Sequence, residues 1–241
     1  MSATYSDYAK MIDHALLPPT TTVEQLEAGC QLALDYDVAS VCMLPYFLKR
    51  GAEILAGSTV KASTTIGFPH GGHTTPMKLA EAQQAVADGC EELDMVVNIS
   101  QVLSGNWDYV RFEIAAVAEI AHEAGQKVKV IFENCYLDDD QKIRLCEICT
   151  AASADWVKTS TGFGTGGATH DDLRLMVANT PDHVQVKAAG GVRDFEGLVA
   201  VREIGVTRCG ASGTKTILDE CRVHLELGPI GDSHESTAGG Y

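Results

Sequence analysis

Positive charge is scarce in this chain. Only 18 lysines and arginines stand against 33 aspartates and glutamates, for a formal net charge of −15. A surface this acidic repels phosphate backbones and anionic lipid, so nucleic acid and membranes are excluded as partners. Long apolar runs are missing as well: none approaches the roughly 18 residues of a membrane span. The start, Met1 to Asp7, is polar and unlike a secretory signal. No linker, low-complexity run or composition break divides the 241 residues, a length usual for one α/β barrel. Eight cysteines are scattered through apolar and helical surroundings, the usage of reduced thiols in a cytoplasmic protein. Cys146 and Cys149 stand three apart inside a helical pattern with no second ligand pair nearby, so they read as helix residues. His70 and His73 flank Gly71-Gly72 without a carboxylate or cysteine at ligand spacing, so they read as a loop. No metal and no cofactor is expected.

What is present is alternation. Strand-like runs fall at 11–14, 39–43, 60–66, 92–98, 127–133, 155–159, 184–188 and 206–209. Helical patterns fall between them at 22–36, 46–56, 76–88, 106–124, 138–152, 169–178 and 194–203, and a last one near 213–225. Eight βα units predict a single-domain (β/α)₈ TIM barrel over residues 1–227. Gly228 to Tyr241, poor in apolar residues, is expected to be a flexible tail.

Barrel strands are buried on both faces, so a charge inside one is costly unless paired or used in chemistry. Side chains alternate along a strand. Placing Val128, Val130 and Phe132 outward turns Lys127, Lys129, Ile131 and Glu133 inward. Leu93, Met95 and Val97 outward turn Glu92, Asp94 and Asn98 inward. Val157, Val184 and Val186 outward turn Lys158 and Lys187 inward, and the same count brings in Asp13 and Cys42. The interior is thus expected to oppose Lys129, Lys158 and Lys187 to Asp13, Asp94 and Glu133. A network of that kind could be structural only, but apolar replacements are often as stable.

Two lysines in one dry pocket also have a chemical use. An ammonium cannot attack a carbonyl, and both desolvation and a neighbouring cation favour its neutral form. Lys158 suits the nucleophile because Lys158-Thr159-Ser160-Thr161-Gly162 closes a strand into a polar, glycine-bearing loop. Asp94 suits the acid/base partner. Glycine-containing loops follow the last three strands: Ser160 to Gly167 with Gly162, Gly190-Gly191-Val192-Arg193, and Gly210-Ala211-Ser212-Gly213. Their backbone amides and the helix N-termini after them suit a phosphate, as in many barrel enzymes. Arg193 is expected to add local positive charge to an otherwise acidic protein.

These segments together resemble the deoxyribose-phosphate aldolase family. The resemblance is carried by Ile12-Asp13-His14-Ala15-Leu16-Leu17, Val41-Cys42, Gly67-Phe68-Pro69-His70-Gly71, Glu92 to Asn98, Lys129 to Glu133, Val157 to Gly162, Lys187 to Arg193 and Arg208 to Ser212. It implies reversible cleavage of 2-deoxy-D-ribose 5-phosphate to glyceraldehyde 3-phosphate and acetaldehyde. By the same resemblance Lys158 forms the Schiff base, Lys187 perturbs it, Asp94 relays protons and Lys129 stands beside Asp94. Gly162, Gly190, Gly191, Gly210 and Ser212 would hold phosphate, Cys42 would line the site, and Tyr241 would reach in to assist proton transfer. The partner implied is a small phosphosugar, with a homodimer allowed for. Ala15, Asn134-Cys135 and Gly213 depart from common family residues, which bears on phosphate affinity and substrate preference. Another class I or transaldolase-like aldolase would share the lysine. A non-catalytic phosphosugar sensor would share the glycine loops but have no need of two buried lysines.

Overall fold

The computed structural model describes residues 3–230. Eight parallel strands run in chain order around a closed barrel: β1 (Ile12–Leu16), β2 (Ser40–Met43), β3 (Lys61–Ile66), β4 (Glu92–Val96), β5 (Lys127–Ile131), β6 (Trp156–Lys158), β7 (Gln185–Ala189) and β8 (Arg208–Ala211). The helices are α1 (Tyr5–Ala9), α2 (Val23–Asp35), α3 (Leu48–Leu55), α4 (Thr75–Ala87), α5 (Ile99–Leu103), α6 (Trp107–Glu123), α7 (Asp139–Ala151), α8 (His170–Ala178), α9 (Phe195–Ile204) and α10 (Thr214–His224). This is the expected TIM barrel. No helix among the described residues is long and apolar enough to cross a membrane.

Local chemistry sets the helix ends. Thr22 and Asp138 form capping boxes with Gln25 and Gln141, so side chains satisfy N–H groups that the first turn leaves free. Gly205 ends α9 at φ 109°, a left-handed conformation that suits glycine. Outward strand residues such as Leu93, Met95, Val128, Val130, Val157 and Val186 pack beneath the helices as one apolar shell. Inward residues follow one register around the barrel, with Asp94 opposite Lys129, Ile131 opposite Lys158, Lys158 opposite Lys187 and Lys187 opposite Arg208.

Several boundaries differ from the sequence reading. β8 begins two residues later than the apolar run at Val206, because closure requires it to pair with both β7 and β1, with Asp13 opposite Gly210. Gly210 is therefore a strand residue, not a loop residue. β4 stops at Val96, because Asn98 leaves the strand to cap α5 by accepting from the Gln101 N–H at 3.3 Å. β5 stops at Ile131, and Glu133 turns left-handed at φ 59°. The single helix expected over 46–56 is a 3₁₀ turn, Pro45–Phe47, followed by α3. The helical elements α1 and α5 have too few residues to show a period.

Candidate active site

The C-terminal ends of β1, β2, β6, β7 and β8 surround a cavity of about 280 Å³. Its floor includes Asp13, Cys42, Lys158 and Lys187, and its rim includes Thr161, Gly162, Phe163, Gly190, Gly210 and Ser212. Asp94 and Lys129 are fully buried and lie outside the cavity lining; Asp94 contacts both lysines that face it, and Lys129 contacts Asp94.

Asp94 is the hub. Its Oδ2 accepts from Lys158 and Lys187, each at 2.8 Å, and its Oδ1 accepts from Lys129 at 2.8 Å and from the Ser63 hydroxyl at 3.3 Å. Lys187 also donates to Asp13, whose other oxygen takes the Arg208 guanidinium at 2.6 Å. Arg208 reaches across to both oxygens of Glu92, at 2.9 and 3.1 Å, and Glu92 pairs with Lys129 at 2.6 Å. Lys129 lies 3.4 Å from Asp13. The three lysines are therefore not equivalent: Lys129 meets three carboxylates, Lys187 two and Lys158 one.

Their proton affinities follow that count. Burial lowers the Lys158 pKa and the adjacent Lys187 cation adds to this, while Asp94 and, less strongly, Cys42 oppose it, so the net shift is downward. Burial also acts against charged Lys187, but Asp13 and Asp94 outweigh it and hold the ammonium on. Lys129 is held charged more strongly still: Asp13, Asp94 and Glu92 overcome its burial. Burial alone would raise Asp94, yet Lys129, Lys158 and Lys187 together keep its carboxyl well below the usual range. Burial pushes the Cys42 thiol up, so it stands in the floor as a neutral group.

Glu133 does not belong to this cluster, contrary to expectation. Alternation carries no meaning past the strand's last residue, and the left-handed turn aims its carboxylate at the mouth. There it accepts from the Thr161 N–H at 3.1 Å and from the Thr161 hydroxyl. That hydroxyl in turn accepts from the Phe163 N–H at 3.0 Å, which braces the loop after β6. The same loop leans on the loop after β7. A Cβ on Gly167 would stand 2.6 Å from the Gly190 carbonyl oxygen, so only glycine allows that approach.

Of the expected phosphate residues, Gly162, Gly190, Gly210 and Ser212 line the cavity and Gly191 does not. Gly190 and Gly191 have φ of 72° and 111° and make the turn itself. Ser212 is exposed at the mouth, two residues before α10, whose first N–H groups lack intrahelical acceptors. Arg193 is exposed and does not line the cavity; of the two lysines that do, Lys187 is the one held charged. Tyr241 lies outside the described residues, as does the expected tail from residue 231. Cys146 and Cys149 are buried in α7 as free thiols. No cluster of three or more potential metal ligands occurs among the described residues.

Two members of the site escaped the sequence reading. Glu92 was placed inward but left out of the charged set, and Arg208 was given no role. With Cys209 outward, the same alternation points Arg208 at the axis.

A family model described as DeoC/LacD family aldolase matches residues 8–222. The deoxyribose-phosphate aldolase of Rhodopirellula baltica is 66% identical over 226 residues, 94% of each chain. That of Thermococcus gammatolerans is 46% identical over 218 residues, 90% of this chain and 97% of its own. A solved tetrameric deoxyribose phosphate aldolase from Aeropyrum pernix is 30% identical, with TM-score 0.84, and the match covers 91% of this chain and 92% of that one.

Proposed function

The chain belongs to the DeoC/LacD family of aldolases, and from that membership we propose how its residues divide a Schiff-base cleavage among them. The enzyme is a class I aldolase, an aldehyde-lyase that reversibly cleaves 2-deoxy-D-ribose 5-phosphate to D-glyceraldehyde 3-phosphate and acetaldehyde. The observation that carries the assignment of roles is the unequal pairing of the three lysines.

Lys158, with one shared carboxylate, releases its proton most easily and attacks C1 of the open-chain sugar. Loss of water from the carbinolamine gives the iminium ion. Removal of the C3 hydroxyl proton then breaks the C2–C3 bond, and the electron pair moves into the enamine. Glyceraldehyde 3-phosphate leaves, the enamine takes a proton at C2, and water releases acetaldehyde from Lys158. The imine nitrogen is the electron sink throughout, so the protein's own amine suffices and no cofactor is called for.

Lys187, held charged, suppresses protonation of Lys158 and donates hydrogen bonds at the floor. Asp94 is an anion in the resting enzyme and suits a proton acceptor. When the enamine forms, Lys158 stops being a cation and Asp94 loses one of its three partners, which raises its affinity for a proton at the step that needs a donor. Lys129 anchors Asp94. Cys42 supplies a neutral wall. Gly162, Gly190, Gly210 and Ser212, with the start of α10, hold the phosphate at the far end of the cavity, and Gly191 shapes the turn that presents Gly190.

Tyr241 is assigned, on the family resemblance alone, to proton transfer between imine and enamine. Tyr241→Phe should lower kcat and slow solvent exchange of acetaldehyde methyl protons, with KM unchanged; wild-type exchange would remove it from the mechanism. Eight free thiols support residence in the cytoplasm. Association as a homodimer is part of the same reading and is checked by light scattering.

Donor choice tests the reaction. With glyceraldehyde 3-phosphate as acceptor, acetaldehyde should be condensed and dihydroxyacetone refused. Preference for dihydroxyacetone would point to a transaldolase-like enzyme.

A further inference from the structure

The barrel interior holds four cations, Lys129, Lys158, Lys187 and Arg208, against three carboxylates, Asp13, Glu92 and Asp94, and all seven residues are at most 9% exposed. We propose that Arg208 is a positioning residue for Lys158: as the permanent fourth cation it occupies Asp13 and Glu92, and so leaves Lys158 the one amine without a carboxylate of its own. This inference rests on Lys158 being the nucleophile.

With every group ionised, the set carries one excess positive charge in a space largely closed to water. Excess charge at low dielectric is costly and is relieved by releasing one proton. A guanidinium does not release one. Lys129, with three carboxylates, and Lys187, with two, hold theirs; Lys158 shares a single carboxylate with both and yields. Removal of Arg208 leaves three cations against three carboxylates, and only burial and the Lys187 cation then favour an uncharged Lys158.

The placement of Arg208 suits this role. Its guanidinium lies 4.7 Å from the centre of the Trp156 ring, and the indole N–H is fixed by donating to the Thr207 hydroxyl at 3.1 Å. One nitrogen bonds both Asp13 and Glu92, and a second also bonds Glu92, so the group cannot drift without breaking contacts to two strands. The charged and titratable groups facing it and Lys158 are Asp13 from β1, Cys42 from β2, Glu92 and Asp94 from β4, Lys127 and Lys129 from β5 and Lys187 from β7. β3 contributes the hydroxyl of Ser63, which donates to Asp94, and at its start Lys61, half exposed and paired with Glu91. Lys127, 5.0 Å from the centre of the Trp156 ring, is half exposed and screened by solvent. Glu133 stands apart, bonded to Thr161.

The test is the pH dependence of reductive trapping and of kcat/KM in the wild type, R208M, E92Q and the R208M/E92Q double variant. Removal of one unit charge that is not in direct contact, at an effective dielectric near 20, corresponds to about one pH unit. In R208M the limb along which activity rises with pH should move about one unit to alkali. Along that limb the shift is about a tenfold loss at a fixed pH, with the high-pH plateau retained. E92Q, which removes an anion, should move the limb to acid. The double variant restores an excess cation and should return toward the wild type. A wild-type limb in R208M, or a loss equal at every pH, overturns the proposal. If R208M fails to fold by circular dichroism, E92Q decides alone, and an unmoved limb overturns the proposal. Peptide mapping of the trapped adduct at pH 9 separates the two claims: label on another lysine refutes the reading of Lys158 itself, whatever the limbs do.

Discussion

Lys158, Lys187 and Lys129 are one residue type in one dry space, and the carboxylates each touches divide their roles. Lys187→Leu removes the cation beside Lys158 and two charged hydrogen bonds to Asp13 and Asp94. The Lys158 pKa should then rise, since like charge no longer opposes protonation. Below its pKa an amine is protonated and cannot attack, so activity at neutral pH should fall at least a hundredfold and recover in part in alkali. A pH–rate profile checks this, and an unshifted profile with wild-type turnover would refute the role. All three lysines and Asp94 were legible in the sequence, because outward apolar neighbours fix their direction: Leu93 and Met95 for Asp94, Val128 and Val130 for Lys129, Val157 for Lys158 and Val186 for Lys187. Glu133 was misplaced, because the same count was carried past the end of β5. Arg208 was missed although Cys209 beside it gives its direction.

At the scale of elements, the cavity depends on loops that strands end in and side chains tie down. The order of strands and helices could be read from apolar periodicity, but their ends could not. β8 is placed by its pairing with β1 and β7 rather than by its own apolar run, and β4 ends where Asn98 is needed as a cap. The brace from Glu133 through Thr161 to Phe163 joins residues 28 or more apart in sequence and left no local pattern to read. It shapes the rim that faces the substrate. Glu133→Ala should raise KM for the phosphorylated sugar at least tenfold, as expected for loss of hydrogen bonds to a charged group. Glu133→Gln, which keeps an acceptor for the Thr161 N–H, should retain most of the affinity. Steady-state kinetics compare the two, and equal effects would mean that the brace does not act through these bonds.

The whole molecule keeps two environments apart. Its apolar shell between strands and helices is conventional, while the space inside the strands is charged. That inversion places a cation-rich floor beneath a cavity suited to a phosphosugar, within a protein of net charge −15. The proposed division of roles gives the covalent chemistry to one lysine, and that is the central claim. Borohydride reduction in the presence of acetaldehyde, followed by peptide mapping of the whole protein, tests it most directly. One adduct on Lys158 is expected, and none on Lys187, Lys129 or any surface lysine. An adduct mapped to Lys187 or Lys129, or no adduct in an active enzyme, would contradict the account.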